Sequence, residues 1–267
     1  MDSVNKTLYI PLYGKAYVSR RNLILQDKKA EQIWEAEGFS LKGKAKTKWL
    51  AYYMGMRSAV FDRWLDEKMT QDPSAVILHI GCGMDSRILR VGSRGHRWYD
   101  VDFPVVIDQR KRYFAETQDY QMICGDLREC DWLREISAEH AIVVLEGVSM
   151  YLTPEELTGA FENLYSRFDN VQILMDCYTE FAAKASKYKN PINDVGVTQV
   201  YGLDDPQMLR GFTRELEMTP QDLINQLAGM EKRIFRKLYA GKIAGKMYRL
   251  YEFEKSTHRS GKVKKEA

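Results

Sequence analysis

The sequence predicts an α/β protein, an open doubly wound sheet of seven strands with an N-terminal helical cap. Three observations carry this. Helical signals fill the first seventy residues, short apolar runs alternate with helix-like stretches from Ala75 onward, and two alternating segments close the chain. Hydrophobic residues make up 45% of the chain and charged ones 29%, enough apolar side chains for a large core, which excludes a wholly disordered chain. Lysine plus arginine total 40 against 37 for aspartate plus glutamate, a net charge of +3. That falls far short of the basic excess of a dedicated nucleic-acid binder.

In chain order, Asp27 is set to N-cap a helix from Lys28 to Glu37, with Ala30, Ile33 and Trp34 on one face and Gly38 as the stop. Thr47 caps a longer helix to about Met69, in which Leu50, Tyr53, Met54, Phe61, Trp64 and Leu65 recur at helical spacing. Between them Lys42, Lys44, Lys46 and Lys48 alternate around Gly43, a solvated loop or a lid that meets an acidic substrate. The runs AVILHI, RWYDV, YQMIC, AIVVLE and VQILMD then read as strands. Helices are expected between them, from Pro104 to Thr117 and from Thr153 to Phe168. The second is marked by Thr153 as N-cap, Pro154 at the first helical position and Glu156 completing a capping box. Such alternation implies a parallel sheet with helices on both faces.

After the fifth strand the pattern gives a helix from Phe181 to Tyr188, a loop through Pro191 and Gly202, and a helix from Asp205. Two further strands, TRELEM and MYRLYEFEK, are separated by a helix that Thr219 and Pro220 open. The basic segment THRSGKVKKEA is expected to fray. The chain thus reads as one domain, with a cap or lid over residues 1–72, a core over 73–255 and a tail over 256–267.

Cys82, Cys124, Cys130 and Cys177 form neither a CxxC pair nor a zinc-finger spacing. Three of them lie within or just after apolar runs, where cysteine acts as a small buried hydrophobe. The start MDSVNKTLYIPL has neither a basic region nor a long apolar stretch, and no window approaches the length needed to cross a bilayer. A cytoplasmic chain with free thiols is the expectation.

In an open parallel sheet, ligands bind beyond the carboxyl ends of the strands. The first strand is followed by Gly81-Cys82-Gly83-Met84-Asp85-Ser86-Arg87, where the two glycines allow a sharp turn and close approach of the backbone to a ligand. The third glycine of a dinucleotide fingerprint is replaced by Ser86, which counts against NAD. Asp102 ends the second strand 21 positions after Gly81, near the spacing at which an acid takes both ribose hydroxyls, with Asp100 as its competitor. Asp126, with Leu127, ends the third strand and could receive an adenine amino group. Glu146 ends the fourth, where burial of a carboxylate is costly without a partner. So many acids at one edge would also suit magnesium, but no metal site is assigned.

HIGCGMDSRILRV, WYDVDFPVVI, GDLRECDWL and LEGVSMYLTPEEL resemble the consecutive motifs of the leucine carboxyl methyltransferase family, and its bacterial tetracenomycin-type polyketide O-methyltransferase branch in particular. YIPLYGKAYVSRR and VYGLDD look like the same branch, so the resemblance runs from about Leu8 to Asp205. One departure is Asp85-Ser86-Arg87, where the family has an acidic-Thr-Arg triplet. The resemblance implies a class I S-adenosylmethionine-dependent, Rossmann-like methyltransferase fold, with S-adenosylmethionine as donor and S-adenosylhomocysteine as product. It would put Gly81 and Gly83 beside the methionine part, Asp102 on the ribose, Asp126 and Leu127 on the adenine and Glu146 near the methionine end. Arg57 matches a family arginine that pairs with the donor carboxylate, and Lys15 a second such cation, as a buried carboxylate requires. From the residues alone Arg57 would be a surface side chain on an amphipathic helix.

None of His79, His96, His140 and His258 falls at a strand's carboxyl end, so a small-molecule acceptor with an already ionised oxygen, a carboxylate or acidic hydroxyl, is favoured. Tyr151 and Glu146 are the candidate catalytic residues, Tyr151 positioning the acceptor, with Tyr9, Tyr13 and Tyr17 and the segment after strand five as further contacts. The competing readings are an NAD-dependent oxidoreductase, a tRNA-modifying methyltransferase and a non-catalytic donor-binding protein.

Overall fold

The computed structural model describes residues 8–41, 43–189, 199–241 and 247–256. The terminal THRSGKVKKEA, Lys42 and most of the loop through Pro191 lie outside them. Strands β1 (Val76–Ile80), β2 (Trp98–Asp102), β3 (Tyr120–Cys124), β4 (His140–Leu145), β5 (Asn170–Tyr178), β6 (Phe212–Leu216) and β7 (Tyr248–Lys255) form one sheet in the order β3-β2-β1-β4-β5-β7-β6. The first five are parallel. The expectation of a parallel sheet fails at the far edge, where β7 runs antiparallel between β5 and β6.

Helices α1 (Tyr9–Ser19), α2 (Lys28–Glu37) and α3 (Lys48–Gln71) make the cap. Asp27 Oδ1 accepts from the Ala30 N–H at 2.8 Å, and Gly38 ends α2 at φ 62°. Thr47 Oγ1 accepts from the Leu50 N–H at the start of α3. The lysine-bearing loop is tied down: it forms a 3-10 turn over Gly43–Lys46 with Ala45 buried, and the Tyr13 hydroxyl donates to the Lys46 carbonyl.

Within the core, α4 (Arg87–Val91) follows the glycine turn, α5 (Pro104–Arg110) follows β2 and α6 (Pro154–Arg167) follows β4. The α6 capping box is complete, with Thr153 Oγ1 accepting from the Glu156 N–H and the Thr153 N–H donating to Glu156. The α5 helix ends seven residues before Thr117, where Arg110 turns its guanidinium inward to Asp100. The helix expected to start at Asp205 is a 3-10 turn over Pro206–Met208, whose Gln207 N–H donates to the Asp205 carboxylate. The helix after Pro220 is split at Gly229 into α8 (Gln221–Asn225) and α9 (Gly229–Tyr239), while α7 (Glu180–Lys189) follows β5. Cys82 and Cys177 are buried, but Cys124, which ends the edge strand β3 facing outward, and Cys130, which caps the 3-10 turn over Asp131–Glu135, are exposed.

Strand periodicity sorts the core into two layers. Val76, Leu78, Ile80, Val143, Leu145 and Ile173 face α6, where Phe161, Leu164 and Phe168 complete the packing. Ile77, Trp98, Ile142, Val144, Leu174 and Leu250 face the cap, chiefly Phe61, Trp64 and Leu65 of α3. Phe161 is 1% exposed and meets Phe253 edge-on at 4.9 Å. Phe161→Ala is expected to lower the unfolding free energy by about 3–5 kcal/mol, read from the urea midpoint at constant slope.

Candidate active site

The cap-facing side of the sheet also carries charge. His79, Asp100, Glu146 and Asp176 share its phase with the apolar residues of that layer, and arginines meet them there. Arg57 of α3 donates from Nε to Glu146 at 3.0 Å and from Nη1 to Asp176 at 2.9 Å. Arg87 donates to Glu146 and to Asp62, the latter at 2.7 Å. Arg90 reaches Asp27, Asp62 and Asp85 at 2.6–2.7 Å, and Arg110 pairs with Asp100. Burial favours the neutral carboxyls, but the arginines outweigh it: Asp100 is lowered to about 2, chiefly by Arg110, and Glu146 to about 2 by Arg87 and Arg57. Asp85 is held well below its usual range against the same burial, by Arg90 and Lys15. At Asp176 and Asp102 burial prevails and the carboxyl is raised.

Above this layer a cleft of about 1020 Å³ runs along the carboxyl ends of β1 to β5. At one end lies the turn after β1. Gly81 stands at φ 67°, and a Cβ there would lie 2.3 Å from the Val148 side chain, so only glycine fits. Gly83 donates its N–H to Asp102 Oδ2 at 2.7 Å, and the Phe103 N–H donates to Oδ1 at 2.8 Å. Asp102 lines the cleft, and each of its oxygens has acceptor capacity beyond that one hydrogen bond. Asp126 lines the same end beside the buried Leu127, with its carboxylate held below its usual range, against burial, by hydrogen bonds from Arg128. Lys15 is 2% exposed, and among the described residues its single ion-pair partner is Asp85 at 3.4 Å.

The structure therefore brings Lys15, Arg57, Gly81, Gly83, Asp102, Asp126, Leu127, Glu146 and Tyr151 to one cleft. Arg57 is buried, not a surface residue. Asp100 is fully buried under Arg110, the Tyr120 hydroxyl and the Trp98 indole N–H, and does not reach the cleft. Glu146 is satisfied on both oxygens by Arg57, Ser58 and Arg87. His79, one residue before the end of β1, does border the cleft. Arg87 can only donate, so His79 Nε2 accepts from it at 3.3 Å and the Nδ1–H donates to Asp100.

The other end is aromatic. Trp49, Tyr53, Tyr151, Tyr178, Tyr239 and Tyr248 line it, with the Tyr53 ring 5.1 Å from Tyr239 and the Tyr178 ring 5.0 Å from Tyr248. Burial raises Tyr53, Tyr239 and Tyr248. Tyr9, Tyr13 and Tyr17 take no part: Tyr9 packs on Phe39 and Tyr13 on Trp34, between cap helices. The sequence reading passed over Asp176 and Tyr248. Asp176 ends an apolar strand as Glu146 does and is open to the same argument; Tyr248 had no such signal.

The leucine carboxyl methyltransferase family model matches residues 8–165. The tetracenomycin polyketide synthesis O-methyltransferase of Streptomyces glaucescens is 27% identical over 225 residues, 83% of each chain. An S-adenosyl-L-methionine-dependent methyltransferase of Gibberella zeae is 24% identical over 233 residues, 78% of each. Among solved structures, magnesium protoporphyrin IX methyltransferase of Synechocystis, with bound S-adenosylhomocysteine, superposes at a TM-score of 0.51 and 13% identity, over 85% of this chain and 93% of that one. Its fold, an α/β class I methyltransferase sheet, is the one seen here. Among the described residues no helix is long and apolar enough to cross a membrane.

Asp100 and Glu146, depressed to about 2, stabilise the fold above the unfolded carboxyl values of about 4 and lose that contribution as pH falls through their folded values. Asp102 and Asp176, raised, contribute in the opposite sense. The depressed group is the larger with Asp85, so the unfolding free energy is expected to fall steeply from about pH 5 to pH 2. Urea midpoints across that range check it; a flat profile contradicts the charge layer.

Proposed function

Because the chain belongs to the leucine carboxyl methyltransferase family, we propose that it transfers the methyl group of S-adenosylmethionine to an acidic oxygen, a carboxylate or acidic hydroxyl, of a small polyketide-like or aromatic acceptor. The observation that carries this reading is the single cleft, in which a glycine-and-carboxylate end runs into an aromatic one. Its volume is at the upper end of the range for small-molecule sites, as two ligands side by side require.

The residues present suit the donor. Lys15 is a buried ammonium with donors to spare beside the cleft, and a carboxylate is the group that would satisfy it. Arg57 would share that carboxylate, Gly81 and Gly83 would let the backbone close on the methionine part, Asp102 would receive the ribose hydroxyls, and Asp126 with Leu127 would flank the adenine. Bound there, the sulfonium would supply an electrophilic methyl carbon. The protein's part is to hold the acceptor oxygen in line with it and to keep water out, which Tyr151 and the apolar wall of Met54, Met150 and Leu152 are placed to do. Glu146, ionised and fully hydrogen-bonded, acts as counter-ion to Arg57 and Arg87 and not as a proton acceptor.

Titration calorimetry with S-adenosylmethionine, S-adenosylhomocysteine and NAD tests the donor. Binding of both adenosyl compounds without NAD is expected, and the reverse would favour an oxidoreductase. Asp102→Ala is expected to weaken donor binding by about 1.5–3 kcal/mol, the scale for lost hydrogen bonds to a charged group. Unchanged affinity in a folded variant removes Asp102 from the ribose. Donor binding with no consumption across acidic aromatic acceptors would indicate a binding protein, and steeply salt-dependent tRNA binding a nucleic-acid substrate.

A further inference from the structure

Helix α9 sorts its side chains into rows, because residues four apart lie one above the other on a helix. Glu231, Phe235 and Tyr239 make the inward row. Glu231 accepts from Lys48 Nζ at 2.6 Å and from the Tyr52 hydroxyl at 2.8 Å, Phe235 is fully buried, and Tyr239 lines the cleft. The next row is apolar and in water: Met230 is 76% exposed, Ile234 37% and Leu238 52%. Beside it run Arg233 and Lys237, with Lys232 and Arg236 on the other flank of the helix. Among the described residues none of these four cations forms an ion pair. A single exposed apolar side chain is ordinary. Three in one row, flanked by unpaired cations, are the pattern of a helix that lies in a lipid–water interface.

We propose that α9 docks the protein on an anionic lipid surface. Met230, Ile234 and Leu238 enter the boundary between headgroups and acyl chains, and the cations beside them meet the lipid phosphates. Charge selects this occupant. Lys232, Arg233, Arg236 and Lys237 stand against one acid on the helix, Glu231, whose charge is already taken by Lys48. A second copy seated on the same face would bring like charges together, and a neutral lipid surface would leave the cations unmatched.

The apolar row also reaches the cleft. Leu238 is half exposed and lines the cleft, so it stands at the rim. Ala182 and Ala185 of α7 line the cleft as well, and their neighbour Phe181 is 65% exposed. Docking through α9 therefore sets this rim against the lipid, and an apolar acceptor dissolved there passes Leu238 into the cleft without crossing water. That delivery rests on the methyl-transfer reading; the docking itself does not. It is attachment at the surface and needs no helix that crosses the bilayer.

The test sediments the full chain with vesicles of phosphatidylcholine alone and of phosphatidylcholine containing about 30% phosphatidylglycerol. In about 0.1 M salt, binding to the anionic vesicles is expected to be at least about tenfold tighter than to the neutral ones, and most of that difference is lost in about 0.5 M salt. Arg233→Gln combined with Lys237→Gln weakens anionic binding at least about tenfold. Met230→Ser combined with Ile234→Ser does the same, and neither residue lines the cleft. Urea midpoints confirm that the variants fold. Should the apolar pair not fold, Met230→Ser alone, at a position three-quarters exposed, is expected to weaken binding at least about threefold. Wild type that ignores anionic vesicles or binds both kinds equally overturns the proposal. So does a loss confined to the charge variant, which would assign the face to an acidic protein. A dimer that Met230→Ser dissociates, with no vesicle binding, would assign it to a second copy and overturn the proposal as well.

Discussion

The rest of the molecule depends on the layer of arginine–carboxylate pairs between sheet and cap. Removing an ion from water costs several kcal/mol, and the cost is met only where every charge finds a partner in good geometry. Here the pairs are also ties. Arg57 joins α3 to β4 and β5, Arg87 joins the helix after the glycine turn to both α3 and β4, and Arg90 joins it to Asp27 at the start of α2. Losing any one of these leaves an opposite charge buried, so the cap has one seating on the sheet. Lys15 and Arg57, which come from the cap, are held beside Gly81 and Asp102, which come from the sheet, by that seating.

The same layer gives the cleft its polarity. At the glycine end the charges reach the cleft wall with capacity to spare, at Lys15 and on both oxygens of Asp102. At the aromatic end rings cover much of the layer, and the Tyr248 hydroxyl ties the wall to Arg57 and Asp176 beneath it. A charged end and an aromatic end of the cleft therefore rest on one buried network, seen from two sides.

Much of this was legible in the sequence, and the limits are physical. Strands announced themselves because both sheet faces are covered, so their residues are almost uniformly apolar. Asp27, Thr47 and Thr153 could be read as caps because capping is local. Gly81, Asp102, Asp126 and Glu146 followed from their positions at strand ends, whereas Lys15 and Arg57 came only through the family resemblance, since nothing in a helix's own pattern says that its arginine meets two acids from other elements. That Asp100, the competitor of Asp102, is buried away from the cleft was hidden for the same reason: its partner Arg110 is set by packing. The antiparallel course of β7, set by pairing with the distant β5, and the aromatic wall from Tyr53 to Tyr248 are products of tertiary packing and leave no local signal.

The position of β7 bears on how such a chain is made. Eight residues of β7, Tyr248 to Lys255, pair with Tyr178 to Val171 of β5, and β6 joins the sheet only through β7. A chain emerging from the ribosome thus holds β5 as a bare apolar edge, and β6 without its place, until the last strand has been synthesised. Open edges of that kind invite pairing with other chains, and contacts closed last and at long range are slow to form. A chain cut short before Tyr248 lacks the hydroxyl over Asp176 and leaves β5 with an unpaired flank, the kind of edge that pairs with other chains.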